Sequence, residues 1–198
     1  MGTDPNTMAV AQAAQQIALQ MLEERGRGAV LVGVARVDAA LEHLLQAVMM
    51  PAPAKGDGLF LPDRPLGSLG AKVALARRLG LIDGPVERAL SALRRLRNAF
   101  AHSAESASLA DPVHRSRLAE AYGEARINPL WTPLETVLAA QPPAALGPLD
   151  PALRDYILLI TILVAFLEAA AQQLGPFQAP VAMGFAGVIR EHPPGQTL

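Results

Sequence analysis

Apolar residues recur at three- and four-residue spacing along most of the chain, and nowhere do they alternate with polar ones, so the pattern predicts helices and no strands. The clearest amphipathic segment is Ala29 to Met50. Val30, Val34, Val37, Leu41, Leu44 and Val48 make its stripe, Arg36, Glu42 and His43 point away, and Asp38 sits at the stripe's edge. A second stripe, Val86, Leu90, Leu93 and Phe100, follows the start signal Asp83-Gly84-Pro85 and runs to about His102. Met8 to Glu24, Leu66 to Gly80, Asp111 to Tyr122, Leu134 to Ala140 and Pro151 to Leu174 read as further helices. The last contains an apolar run, Tyr156 to Leu167, of about twelve residues, short of the roughly twenty a bilayer needs. It is expected to be buried nearly all round. The proline-rich stretches Pro51 to Pro65 and Gln141 to Pro151 read as connections.

The expected architecture is therefore a single compact all-α domain of six or seven helices over residues 8–174. Its core is expected from Ala29 to Met50, the helix ending at His102, and Pro151 to Leu174. Positions 1–7, MGTDPNT, read as a polar leader placed ahead of a native start at Met8, and residues 175–198 as a Pro/Gly-rich tail.

One position breaks the pattern. On a wheel centred on Val86, Leu90, Leu93 and Phe100, Arg97 falls roughly 20° from the middle of the stripe. A guanidinium there needs a partner, because an unpaired buried charge costs several kcal/mol. Asp38 is the expected partner and Glu42 the second choice. Arg94 and Arg95 lie nearer the solvent side.

The 198 residues are 51% hydrophobic and carry 17 basic against 18 acidic side chains, for a formal charge of −1. Such a balance gives no global drive toward nucleic acid or an anionic membrane. Charge is uneven, however: Lys72 to Arg97 holds seven basic residues and two acidic ones. The chain has no cysteine, which excludes disulfides and thiolate chemistry and suits a cytoplasmic location. His43, His102, His114 and His192 show no metal-ligand spacing, so neither a metal nor another cofactor is expected. His114, Arg115 and Arg117 read as a solvated face, and Trp131 as a packing anchor. Gly67, Ser68 and Gly70 open a helix as a phosphate-cradling turn does, with Lys72 and Arg94 as further candidate contacts. The segment lacks the Lys-Ser/Thr of a P-loop and dinucleotide spacing, and tight packing of a helix start accounts for the same glycines.

Three blocks, Glu24 to Leu45 (ERGRGAVLVGVARVDAALEHLL), Pro65 to Ile82 (PLGSLGAKVALARRLGLI) and Leu93 to Ser103 (LRRLRNAFAHS), together resemble the mannitol operon repressor (MltR) family. The resemblance covers roughly Glu24 to Ser103. It implies a compact all-helical transcriptional regulator, dimeric and cytoplasmic, that lacks a recognisable DNA-binding motif. The sequence contains no helix-turn-helix with a basic recognition helix, no zinc-finger spacing and no basic arm. Regulation through an unidentified protein partner, without enzymatic activity, is the function this implies.

Arg97-Asn98-Ala99-Phe100-Ala101-His102 is also similar to the R-x4-6-H motif of HEPN-type helical ribonucleases. That resemblance implies metal-independent RNA cleavage at a dimer interface. Arg97 would stabilise phosphate charge, His102 would act near the 2′-hydroxyl or the leaving group, and Asn98 would orient one of them. The same residues admit a structural reading, with Arg97 in a core ion pair, Phe100 packed and His102 satisfied by backbone. A third reading makes the basic segment a sensor for a phosphorylated small molecule. The nuclease requires Arg97 and His102 exposed at a shared cleft, the sensor a pocket between Lys72 and Arg97, and the regulator a partner surface.

Overall fold

A computed structural model describes residues 5–24, 26–52, 58–102, 107–140, 149–177, 181–183, 185 and 189–191. Among them are seven helices: α1 (Pro5–Met21), α2 (Gly26–Val48), α3 (Leu69–Arg78), α4 (Gly84–His102), α5 (Pro112–Arg126), α6 (Trp131–Ala139) and α7 (Pro151–Gln173). Every helix read from periodicity is present, and the fold is a single all-α domain. Helix α1 begins at Pro5, inside the stretch read as a leader, since proline's fixed φ and missing donor suit a first turn. Helix α5 continues past Tyr122 to Arg126.

The tail departs from expectation. Two three-residue strands, β1 (Val181–Met183) and β2 (Ile189–Glu191), pair antiparallel with Val181 opposite Glu191. Three residues are too few for a period of two to be legible. The mobile end expected for the last residues lies outside the described ones.

Helix α7 is the centre of the domain. Its residues Tyr156 to Ala165 are all buried, and α1, α2, α5 and α6 pack around it. Asp150 opens it by accepting a hydrogen bond from the Ala152 amide at 3.2 Å, with Pro151 in the first turn. The crossing of α2 on α7 is made close by Gly33, whose missing side chain leaves room for Tyr156 and Ile160. There the Tyr156 hydroxyl donates to the Val30 carbonyl at 3.0 Å, satisfying a polar group that has no exposure. Helix α4, expected to help make the core, does so through Leu90, Leu93, Leu96 and Phe100, and it packs on α2, α3 and α5. Trp131 does anchor: it is buried at the start of α6, with the Arg126 guanidinium 5.6 Å from its ring centroid. No described helix is long and apolar enough to cross a membrane.

Candidate functional site

Helix α4 carries the signature residues, and its start is fixed locally. The Asp83 carboxylate accepts from the Val86 amide at 2.9 Å, and Pro85 occupies the first turn. From there Ala89, Leu90, Ala92, Leu93, Leu96 and Phe100 form the buried face. Counting the two alanines and Leu96, none of them in the stripe read from the sequence, turns its centre away from Arg97. Arg97 is accordingly exposed. The expected Arg97–Asp38 ion pair is not formed, and among the described residues Arg97 has no carboxylate partner.

Asp38 and Glu42 do receive a buried cation from a neighbouring helix, but that cation is Lys72 of α3. Lys72 is only 3% exposed, with its Nζ 2.8 Å from Asp38 Oδ1 and 2.7 Å from Glu42 Oε2. Burial pulls the ammonium's pKa down, and the hydrogen bonds and charges of the two carboxylates outweigh it, holding the group above its ordinary value. The side chain's four methylenes let its head reach carboxylates on α2 while its stem packs between the helices. Glu42, read as pointing away, and Asp38, read as an edge residue, are each about one-third exposed.

This arrangement removes the phosphate turn proposed from Gly67, Ser68, Lys72 and Arg94. The Ser68 hydroxyl caps α3 by accepting from the Ala71 amide at 3.2 Å, and Lys72 is already neutralised. Arg94 lies along Gly70, its Cδ 3.6 Å from where a Gly70 Cβ would stand. Tight packing explains Gly67 outright, since a Cβ there would lie 2.2 Å from the Leu61 carbonyl oxygen and 2.6 Å from that of Pro62. Those atoms are backbone and cannot rotate away. Gly67→Ala is expected to cost about 1–3 kcal/mol in urea unfolding, the range for an overpacked site, whereas Gly70→Ala, with only ordinary contact to Arg94, costs less than about 0.5 kcal/mol.

The remaining signature residues face solvent. Arg94, Arg97, Asn98 and His102 are all exposed, and Arg94, Asn98 and His102 follow one another at four-residue intervals on one face. His102 closes the helix. Beside it the Arg27 guanidinium of α2 donates to the Ala101 carbonyl at 2.9 Å, a cation placed at the negative end of the α4 dipole. His114 does not belong to a solvated face. It is 9% exposed, its ring centroid 5.0 Å from that of Phe100, and it extends the apolar contact of α4 with α5. His43, exposed as expected, pairs with Glu168 of α7 at 2.6 Å. Among the described residues no three His, Asp or Glu side chains converge as a metal site.

The feature that sequence reading missed is a groove. Because α4 rests on α2, α3 and α5 rather than α7, a cleft of about 660 Å³ opens between the start of α4, the end of α5 and the second half of α7. Ile82, Val86, Ala89, Leu159, Leu163 and Leu167 line it. Phe166, 47% exposed, stands at its edge, between the buried Ala165 and Leu167. Glu124 lines it too and pairs with no described residue. Phe166 was the only available signal, and a single phenylalanine in an apolar run reads as core.

Compared with known proteins, the chain matches no protein-family model, no curated protein and no solved structure.

Proposed function

We propose that the protein is a non-enzymatic regulator of the mannitol operon repressor kind, acting through a protein partner and as a homodimer in the cytoplasm. The reading rests on the three sequence blocks, and the structural observation that carries it is the groove beside α4. A monomer that leaves a cleft of about 660 Å³ lined by leucine, isoleucine and valine, with a half-exposed phenylalanine at its edge, has a surface suited to an apolar partner segment. Glu124, which pairs with no described residue, favours a partner segment with a basic residue beside its apolar ones.

Chromosomal replacement of Leu163 by Arg, and separately of Phe166 by Asp, tests it in cells of the source. Transcript profiles of these variants are expected to match those of a deletion strain, while Arg97→Ala and His102→Ala profiles match wild type. Groove variants that behave as wild type in a background where deletion changes transcription would overturn the reading.

A second reading is favoured by one observation. Arg97, Asn98 and His102 are exposed and owe nothing to the core, which meets the exposure a HEPN-type ribonuclease needs. Arg97 and His102 lie about 140° apart on α4 and line neither groove described here, so the shared cleft of that reading would form between two copies. Arg97→Ala and His102→Ala are expected to alter stability by less than about 0.5 kcal/mol, as surface substitutions do. Under the nuclease reading His102→Ala lowers cleavage of a mixed RNA pool in chelator by about 10²–10⁴-fold, the range for a lost general acid or base. A wild type that cuts nothing removes this reading and leaves the regulator standing.

A further inference from the structure

We propose that a second groove, between the outer faces of α4 and α5, binds a phosphate-bearing small molecule through Arg95 and Arg117. The groove encloses about 360 Å³ and is lined by Ser91 and Arg95 of α4, by Arg117 of α5, and by Glu87, Arg88 and Glu120. Its carboxylates are engaged. Glu120 accepts from the Arg88 Nε at 2.5 Å, and Glu87 pairs with Arg77 at 3.2 Å. Arg95 and Arg117 have no such partner among the described residues.

Two guanidiniums therefore line one groove with no described carboxylate paired to either, and three arginines there stand against two glutamates. An anion held between them relieves that repulsion and gains two charge-assisted contacts. The number of acceptor oxygens selects phosphate. A carboxylate has two oxygens and satisfies one arginine fork, whereas a terminal phosphate offers three and a diphosphate more, enough for both forks at once. Ser91 lines the same groove and brings a hydroxyl that can donate to a further oxygen. This site does not involve Arg97 or His102: Arg95 and Arg97 are two residues apart, about 200° around the helix. It also replaces the Ser68, Lys72 and Arg94 set, whose lysine is occupied.

Titration calorimetry and thermal melts of the full chain with inorganic phosphate and with pyrophosphate, against sodium chloride at matched ionic strength, test the assignment. Saturable binding with a rise in Tm is expected for wild type, tighter for pyrophosphate. Arg95→Ala and Arg117→Ala are each expected to weaken it about tenfold or more, the loss of a charged hydrogen bond. Arg95→Lys, which keeps the charge without the fork, should fall between, and Arg78→Ala, outside the groove, should bind as wild type. Because Arg95 and Arg117 are exposed and pair with no described carboxylate, their alanine variants are expected to melt like wild type without ligand, which separates lost binding from lost folding. Equal stabilisation by sodium chloride, or undiminished binding by both alanine variants, would overturn the proposal, as would retention of single-stranded RNA that pyrophosphate does not displace.

Discussion

Truncating both carboxylates around Lys72, as Asp38→Ala with Glu42→Ala, is expected to destabilise the protein by about 3–5 kcal/mol, the cost of stranding a buried charge. Either truncation alone leaves the ammonium one partner, so each is expected to cost less than half as much, and the pair should be strongly non-additive. Lys72→Met is also expected to cost less. The two carboxylates it leaves behind are about one-third exposed and can turn to water. Urea unfolding at neutral pH measures all four variants.

The pH dependence has a definite sign. Lys72 titrates above its ordinary 10.5 when folded, so its contribution is fully present below that pH and is lost as the pH rises through the folded value. Tyr122 and Tyr156, both raised by burial above the ordinary 10.0, act in the same direction, because the unfolded chain ionises first. Wild type should therefore lose stability steeply in alkali. Subtracting the Lys72→Met profile isolates the lysine's share. With both carboxylates removed only burial acts on Lys72, its pKa falls, and the alkaline slope from this group reverses. A flat difference between wild type and Lys72→Met across this range would show that the triad is not formed in solution.

Gly33→Ala is expected to cost about 2 kcal/mol, although alanine is the better helix former by roughly 1 kcal/mol. A Cβ at this position would stand 2.6 Å from the Tyr156 hydroxyl, 2.9 Å from its ring and 3.1 Å from Ile160. The tyrosine cannot swing clear. Its ring is enclosed, and moving it breaks the bond to the Val30 carbonyl, leaving a buried hydroxyl and a carbonyl unpaired. Tyr156→Phe removes the closest atom, so in a double-mutant cycle Gly33→Ala should cost less in the Tyr156→Phe background than in wild type. Additive effects would mean that α2 and α7 do not meet at this glycine.

The fold was largely legible because helical period and stop signals are local properties. Val30, Val34, Val37, Leu41, Leu44 and Val48, read from spacing alone, are all buried. Pro151 and Asp150 start α7 where expected, and the run from Tyr156 is enclosed as an apolar run of that length should be. The candidate site was less legible. A wheel centred on Val86, Leu90, Leu93 and Phe100 put Arg97 in the core, whereas Ala89, Ala92 and Leu96, also buried, pull the buried face of α4 away from it.

Sequence by itself determined that this chain folds as amphipathic helices, where α4 and α7 begin, that a carboxylate of α2 would meet a buried cation, and that an Arg-Asn-x-Phe-x-His segment closes one helix. These follow from interactions between residues a few positions apart, or from the cost of burying any charge. Which cation reaches Asp38, which side of α4 faces water, and that a groove separates α4 from α7 were decided by tertiary structure alone. Each depends on how helices distant in sequence pack, and one sequence fixes the faces of a helix more closely than the neighbour each face will meet.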